Sequence, residues 1–553
     1  MQLIFTKGEE LMKVHKRDLI VIVTMMATAG ILAWTRVPDD PVITNDGCSY
    51  ALTAKSLVEG KGYTYLGKPN VLFPPAYPFL IAAVYTFDKN IESSATSAAM
   101  ISWVLTVIPV YLIALLLFGE NFVARILLML TLVLSPEFNR NAGRVLSETT
   151  FILLFYTALF FFILFHMKTK KPKVIHNAII GSIFALSFLA RPEGFVVMAF
   201  AVLYLLLFKP EKFKIRLIHA GIIVLSFLIV ASPYLFFLKK HTGSWQLSGR
   251  AGITLIGGEQ LTHGRHILHY EKELYGLTPD GKDVYMYSGK AVPMAGYLLK
   301  NFSLIMSRLL LNFRDYIKVL WKMLFPMGIL LILLFFLLPK LKALAKKDTE
   351  FILWMLTPSL TVLLFFVYDR YLLGYLPILY FIAVLGLMKA GEFIKKKINL
   401  KSAVVFCIQI LLIIIFQFKV FDPYLAAGPE RTGKMGNWNE VKELSLWMKD
   451  NIPNIREQKV VARKALIGFY SGAEFAPVPW VENEGELFDY MDKIGAGYLE
   501  VDSRYFYEMR PSIYYLIETD RQFERLRIVR IVEKGKHKAV LYRLLPKKNA
   551  GTD

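Results

Sequence analysis

"LIVIVTMMATAGILAWTRVPDDPVITNDGCSYALTAKSLVEGKGYTYLGKPNVLFPPAYP" (19–78) sets an apolar run of membrane length directly before a polar stretch of acids, lysines and aromatics. A second apolar run, "MISWVLTVIPVYLIALLLF" (100–118), closes the polar stretch on its other side. A chain that crosses a bilayer repeatedly gives few residues to long polar loops, so this loop is read as part of a working site at the outer membrane face. The first run is long for a signal peptide, and no small-residue cleavage site precedes the loop, so it is expected to stay as an anchor.

Working outward, 55% of the 553 residues are hydrophobic, and they gather in runs such as "MGILLILLFFLL" (327–338). The length rule gives about eleven spans. They fall near 18–35, 97–118, 121–137, 145–166, 175–190, 193–208, 217–238, 318–339, 350–367, 371–389 and 402–422. The expected fold class is therefore an α-helical polytopic membrane protein. The net charge of +21 sits between the runs, in "KVHKR" (13–17), "KTKKPK" (168–173), "KPEKFKIR" (209–216), "KLKALAKK" (340–347) and "KKKINLK" (395–401). Those clusters read as positive-inside anchors of cytoplasmic loops, so no nucleic-acid partner is expected. Cys48 lies in the polar loop and Cys407 inside an apolar run, which predicts neither a disulfide nor a thiolate metal site.

With the basic loops inside, the outer side receives 36–96, "SPEFNRNAGRVLSE" (135–148), "ARPEG" (190–194), 239–317, "YDRY" (368–371) and the tail. The division is a transmembrane domain over 1–422 and a soluble extracytoplasmic domain over 423–553. In the tail, "WNEVKELSLWMKDN" (438–451) has helical spacing, while "KVVAR" (459–463), "AGYLEVD" (496–502) and "LRIVRIVEKG…KAVLYRLL" (526–545) read as strands. A small α/β domain is expected there, without a glycine-rich nucleotide motif.

Chemistry-bearing residues gather on that outer side. Asp46 precedes "SYALTAKSLVEG", whose apolar residues recur at helical spacing, so Asn45 or Asp46 suits an N-cap. The functional reading of Asp46 is a general base that takes the proton from an attacking hydroxyl. "FPPAYPFL" (73–80) is a rigid turn re-entering the membrane, with Tyr77 as an interfacial aromatic. Glu148 begins a span with Arg144 one helical turn back, either an ion pair or a second active-site acid. Arg191 and Arg370 end spans on the outer side, where a planar guanidinium fork suits phosphate oxygens. His263, His266 and His269 recur at three-residue steps and are candidates for a divalent metal, although a solvated helix face explains them too.

Together, "ITNDGCSYALTAKSLVEGKGY", "FPPAYPFL", "RVLSE", "LARPEG" and "DRYLLGYLP" resemble, in order and spacing over about 18–390, the GT-C superfamily of polyprenyl-phosphate-dependent glycosyltransferases. The resemblance is to the bacterial protein-mannosyltransferase-like and aminoarabinose-transferase-like group. It implies that Asp46 is the catalytic loop aspartate and Glu148 an acid beside the catalytic cavity. It also implies that Arg191 and Arg370 meet a lipid phosphate; Arg144 is assigned beside them, and Tyr50 and Tyr77 are assigned to substrate positioning. There are departures. Gly47 stands where protein mannosyltransferases carry a second acid, and Leu72–Phe73 where aminoarabinose transferases carry Glu-Lys. Lys55, Lys61 and Lys68 are the available substitutes for that lysine, and Lys55 is taken as a phosphate ligand. No WWD motif is present, which argues against an oligosaccharyltransferase catalytic subunit.

The implied activity is transfer, with inversion, of a monosaccharide from an undecaprenyl- or dolichyl-phosphate donor. The acceptor is a glycolipid such as lipid A, a protein or a polysaccharide on the extracytoplasmic face of the cell or inner membrane. Membrane lipids are the other partners, and the sequence leaves open whether a metal takes part. The rival is a polytopic transporter or a lipid or sugar flippase, but the informative charges sit at one face and no inverted hydropathy repeat is visible.

Overall fold

The computed structural model describes residues 14–37, 40–169, 172–262, 267–287, 294–324, 327–337, 345–418 and 438–547. The chain forms two compact units: a helical unit from 1–38, 74–237 and 309–428, and a sheet-bearing unit from 39–73, 238–308 and 429–553.

In the helical unit, Ile91–Phe118 packs against Lys16–Trp34, Ala76–Asp88 and Glu148–Phe162. Among the described residues, five helices are long and apolar enough to cross a membrane, or seven when each of two bent pairs counts as one span. Three shorter apolar helices, Val174–Ala190, Glu193–Phe208 and Ser402–Phe416, accompany them. Burial grades them: 89% of the most apolar window of Asp369–Ile398 is covered, against 28% for Lys16–Trp34 and Phe213–Thr242, so the first is central and the other two peripheral. Two expected spans differ in kind. Over 350–367, helix Lys346–Trp354 gives way to a 3₁₀ segment, Thr357–Leu364, because Pro358 lacks the N–H that a continuing α-helix requires. Over 318–339, two helices stand instead of one, Phe302–Leu324 and Met327–Leu337.

Two buried charges inside this unit show how apolar surroundings, which give no water, force pairing. Asp18 accepts from the Tyr111 hydroxyl at 2.7 Å and from Arg125 at 2.7 Å, with Asp18 and Arg125 both buried. Lys389 donates to the Phe335 carbonyl at 2.8 Å and lies 4.2 Å from that ring's centroid. Close helix contact needs small residues: a Cβ on Gly386 would stand 1.8 Å from the Leu331 carbonyl oxygen.

The sheet-bearing unit opens with a hairpin, β1 (Thr64–Tyr65) and β2 (Lys68–Pro69). Its main sheet holds β3 (Lys459–Ala462), β4 (Glu474–Pro477), β5 (Tyr498–Asp502), β6 (Leu526–Lys534) and β7 (His537–Leu544), in the order β4-β3-β5-β7-β6. β3 runs parallel to β4 and β5, and β7 runs antiparallel to β5 and β6. Val461, Leu499, Val501, Val540 and Tyr542 form the core with Leu487 and Met491 of helix Glu484–Ile494. A buried carboxylate ties the 238–308 segment to the tail: Glu271 accepts from Arg463 and, at 2.9 Å, from Arg510. The Tyr275 ring lies 4.4 Å from the Arg463 guanidinium and 5.2 Å from that of Arg510.

Candidate active site

In the sheet-bearing unit, Asp46 is the second residue of helix Asn45–Val58. The N-cap is Thr44, one residue before the expected Asn45 or Asp46, and its side chain accepts from the Gly47 N–H at 2.9 Å. Asp46 is thereby left out of the capping role and stands in the first turn of the helix. Arg250 Nη1 meets Asp46 Oδ1 at 3.2 Å, and the two side chains are 28% and 22% exposed, so the carboxylate is held yet reachable from solvent. The Arg250 guanidinium lies 5.0 Å from the Phe73 ring centroid, and Phe73 packs edge-on against Tyr50 at 4.8 Å. Gly249 makes this possible: a Cβ there would stand 2.2 Å from the Val71 carbonyl oxygen. Only glycine lets the backbone before Arg250 lie directly on the strand before Phe73.

The tail reaches the same helix. The Ala465 N–H donates to Asn45 Oδ1 at 3.3 Å, and the Tyr470 hydroxyl accepts from the Ile43 N–H at 3.0 Å. Between them, Lys464 sits 4.4 Å from the Tyr505 ring centroid and within the field of Asp46. Burial, reinforced by the neighbouring Arg463 charge, pulls its ammonium down to about 8, while Tyr275, Glu271 and Asp46 act the other way.

In the helical unit, Glu148 is the first residue of helix Glu148–Phe162 and is buried. Arg144 precedes that helix, so the expected one-turn spacing along a single helix is absent; residues 143–147 form a turn instead. The guanidinium partners of Glu148 come from elsewhere: Arg191 Nη1 at 2.8 Å and Arg370 Nε at 4.0 Å. Arg191 terminates helix Val174–Ala190, where Pro192 prevents continuation, and also binds Glu193 at 2.8 Å. Arg370 follows Asp369, which meets Arg140 at 3.3 Å, and Arg140 also pairs with Glu137. Tyr371 lies beneath both cations, 5.7 Å from Arg191 and 5.2 Å from Arg370. The Arg191 and Arg370 ion pairs both fall on Glu148 Oε1, and neither buried oxygen has a well-formed hydrogen bond, so the carboxylate retains capacity to accept from a donor.

Other expected residues have different surroundings. Tyr77 is fully buried and its hydroxyl donates to the Ala95 carbonyl at 2.9 Å, so it locks the re-entry turn. Tyr50 is buried against Phe73. Lys55 is half exposed and meets Glu59 at 3.8 Å on its own helix; Lys61 pairs with the same glutamate, and Lys68 with Asp283. His263, His266 and the side chain of His269 lie outside the described residues. Arg250, Lys464 and Glu193 were not anticipated. Arg250 alone carried a signal, as an isolated charge in the glycine-flanked "SGRAG" (248–252).

Residues 73–237 match the family model for dolichyl-phosphate-mannose-protein mannosyltransferases. No curated protein sequence matches the chain. Among solved structures, ArnT from Cupriavidus metallidurans bound to undecaprenyl phosphate aligns over 95% of this chain and 97% of its own, with 12% identity and a TM-score of 0.53. The chain shares the fold of that structure. The Archaeoglobus fulgidus oligosaccharyltransferase in complex with Zn and sulfate aligns over 86% of this chain and 68% of its own, at 14% identity and a TM-score of 0.52. The mycobacterial arabinofuranosyltransferase AftD aligns over 97% of this chain and 42% of its own, at 11% identity and a TM-score of 0.52.

Proposed function

We propose that this chain is a glycosyltransferase of the GT-C type, which transfers a monosaccharide from a polyprenyl-phosphate donor, undecaprenyl or dolichyl, to an acceptor hydroxyl on the extracytoplasmic face, with inversion. The observation that carries the reading is the Asp46 carboxylate, held on one oxygen by Arg250 at 3.2 Å and still partly exposed. In the reaction, an acceptor hydroxyl gives its proton to Asp46 while its oxygen bonds to the anomeric carbon. The bond from that carbon to the phosphate oxygen breaks, and its electron pair leaves on the polyprenyl phosphate. A phosphate is already a good leaving group, so cations that stabilise its growing charge replace a general acid. Arg370, with Arg191 and Arg144, is assigned to that task, and Glu148 orients the arginines and accepts from the sugar.

The donor assignment is supported by the likeness to a protein whose structure holds undecaprenyl phosphate and by the match to a family named for a dolichyl-phosphate sugar. The described residues contain no group of three metal-ligating side chains. The test follows polyprenyl-phosphate sugars by mass spectrometry in detergent with native membrane lipids, wild type beside Asp46→Asn. Wild type should release free lipid phosphate and a glycosylated product, while Asp46→Asn should be slower by about 100-fold or more. A folded Asp46→Asn protein with full transfer activity would remove Asp46 from the mechanism.

A further inference from the structure

Within the sheet-bearing unit a cleft of about 410 Å³ opens between the hairpin β1–β2, the turn that follows Thr278, and the sheet edge at β4 and β3. That volume lies in the usual range for a small-molecule site. Phe475, Pro477 and Tyr490 give it an apolar wall, and four lysines face two carboxylates around it. Two of the lysines are matched locally. Lys68 pairs with Asp283, and Lys459 meets Glu474 at 3.1 Å while donating to the Ile494 carbonyl at 3.0 Å.

Lys282 and Lys493 are not matched: among the described residues neither makes an ion pair. The backbone brings them together. Gly281 has φ +64°, in a turn closed by its N–H donating to the Thr278 carbonyl at 2.8 Å. A Cβ on Gly281 would stand 2.7 Å from Lys493 Nζ, so that ammonium lies against the backbone directly before Lys282. Like charges gathered at the rim of a cleft repel unless an anion joins them. Tyr65 links the cleft to the candidate base. It lines the cleft, while its buried hydroxyl faces Ser49, three residues along the helix from Asp46.

We propose that this cleft is an acceptor subsite for an acidic saccharide, whose ring lies on the Phe475–Tyr490 wall and whose phosphate or carboxylate sits between Lys282 and Lys493. The assignment of the bound sugar as acceptor rests on the transferase reading above; the binding of an acidic sugar does not. Charge-assisted contacts of this kind give the site its selectivity, and two lysines acting as point charges accept either anion.

The test is saturation-transfer NMR on the full chain in detergent, with glucose 6-phosphate, glucuronate and glucose as probes. The two acidic probes separate a phosphate preference from a carboxylate preference. At least one should bind, at least tenfold tighter than glucose, and weaken as salt rises. Lys282→Glu/Lys493→Glu should cost a further tenfold or more, and the milder Lys282→Gln/Lys493→Gln an intermediate loss, with the melting temperature of each near wild type. Equal binding of glucose, binding unchanged in both double variants, or no binding of either acidic probe would each overturn the proposal. Because the readout is binding, an Asp46→Asn protein that kept full transfer would refute the mechanism and leave this result standing.

Discussion

Glu271 is buried at 3% side-chain exposure between Arg463 at 5% and Arg510 at 0%, and Glu271→Gln tests how far the fold depends on it. The substitution keeps the size but turns one of two accepting oxygens into a donor and removes the charge that two buried guanidinium groups share. Arg510 retains carbonyl acceptors at Pro479 (3.0 Å) and Val478 (2.9 Å), so its remaining hydrogen bonds survive while its counter-charge does not. Breaking a buried pair by removing one partner costs about 3–5 kcal/mol, since an uncompensated charge stays in a low-dielectric site. For a unit of this size, that is a melting-temperature drop on the order of 10 °C. Intrinsic tryptophan fluorescence reports it, because Trp480 lies 5.8 Å from Arg510 and senses the change locally. A double cycle with Arg463→Met should recover at least 1 kcal/mol, the second substitution removing one of the stranded charges. A Glu271→Gln protein melting within about 2 °C of wild type, or a cycle that is purely additive, would show that water or local rearrangement already screens this triad.

Two further substitutions separate structure from chemistry. Glu148→Gln should slow transfer by about 100-fold at little cost in melting temperature, because Arg191 keeps Glu193 at 2.8 Å; a large melting drop with normal turnover would make Glu148 a purely structural partner. Burial pushes the Asp502 carboxyl up to about 6 from its ordinary 3.8, against the backbone N–H groups of Arg504 and Tyr505 that favour its charged form. Between those values the folded protein holds a proton that the unfolded chain has lost, so Asp502 makes stability fall as pH rises through that window. Asp502→Asn keeps the oxygen acceptor and should therefore stabilise the protein by about 1–3 kcal/mol at pH 7.5 and hardly at all at pH 4. Melting curves at the two pH values check it; a variant less stable at pH 7.5 contradicts the sign.

The helices whose residues decide burial by themselves were legible from the chain. "ETTFILLFYTALFFF" is apolar on every face, and Glu193–Phe208 has the expected bounds. The tail strands at 459, 498, 526 and 537 showed their alternation or β-branched content, but β4, "EFAP", did not, because a four-residue edge strand ending in proline carries too little pattern. Asp46 could be singled out because its own neighbours declare a helix start. Arg250 and Lys464 could not be joined to it, being 204 and 418 residues away with no periodicity to signal the meeting. The partners of Glu148 were legible as residue types at span ends, yet their pairing depends on helix packing that single-run hydropathy does not encode.

The helix that carries Asp46 is held by residues made long after it. Asn45 precedes the Ala465 amide that binds it by 420 residues, and Ile43 precedes the Tyr470 hydroxyl that holds it by 427. Through that interval of synthesis the candidate base lacks these supports while the apolar helices are already being inserted.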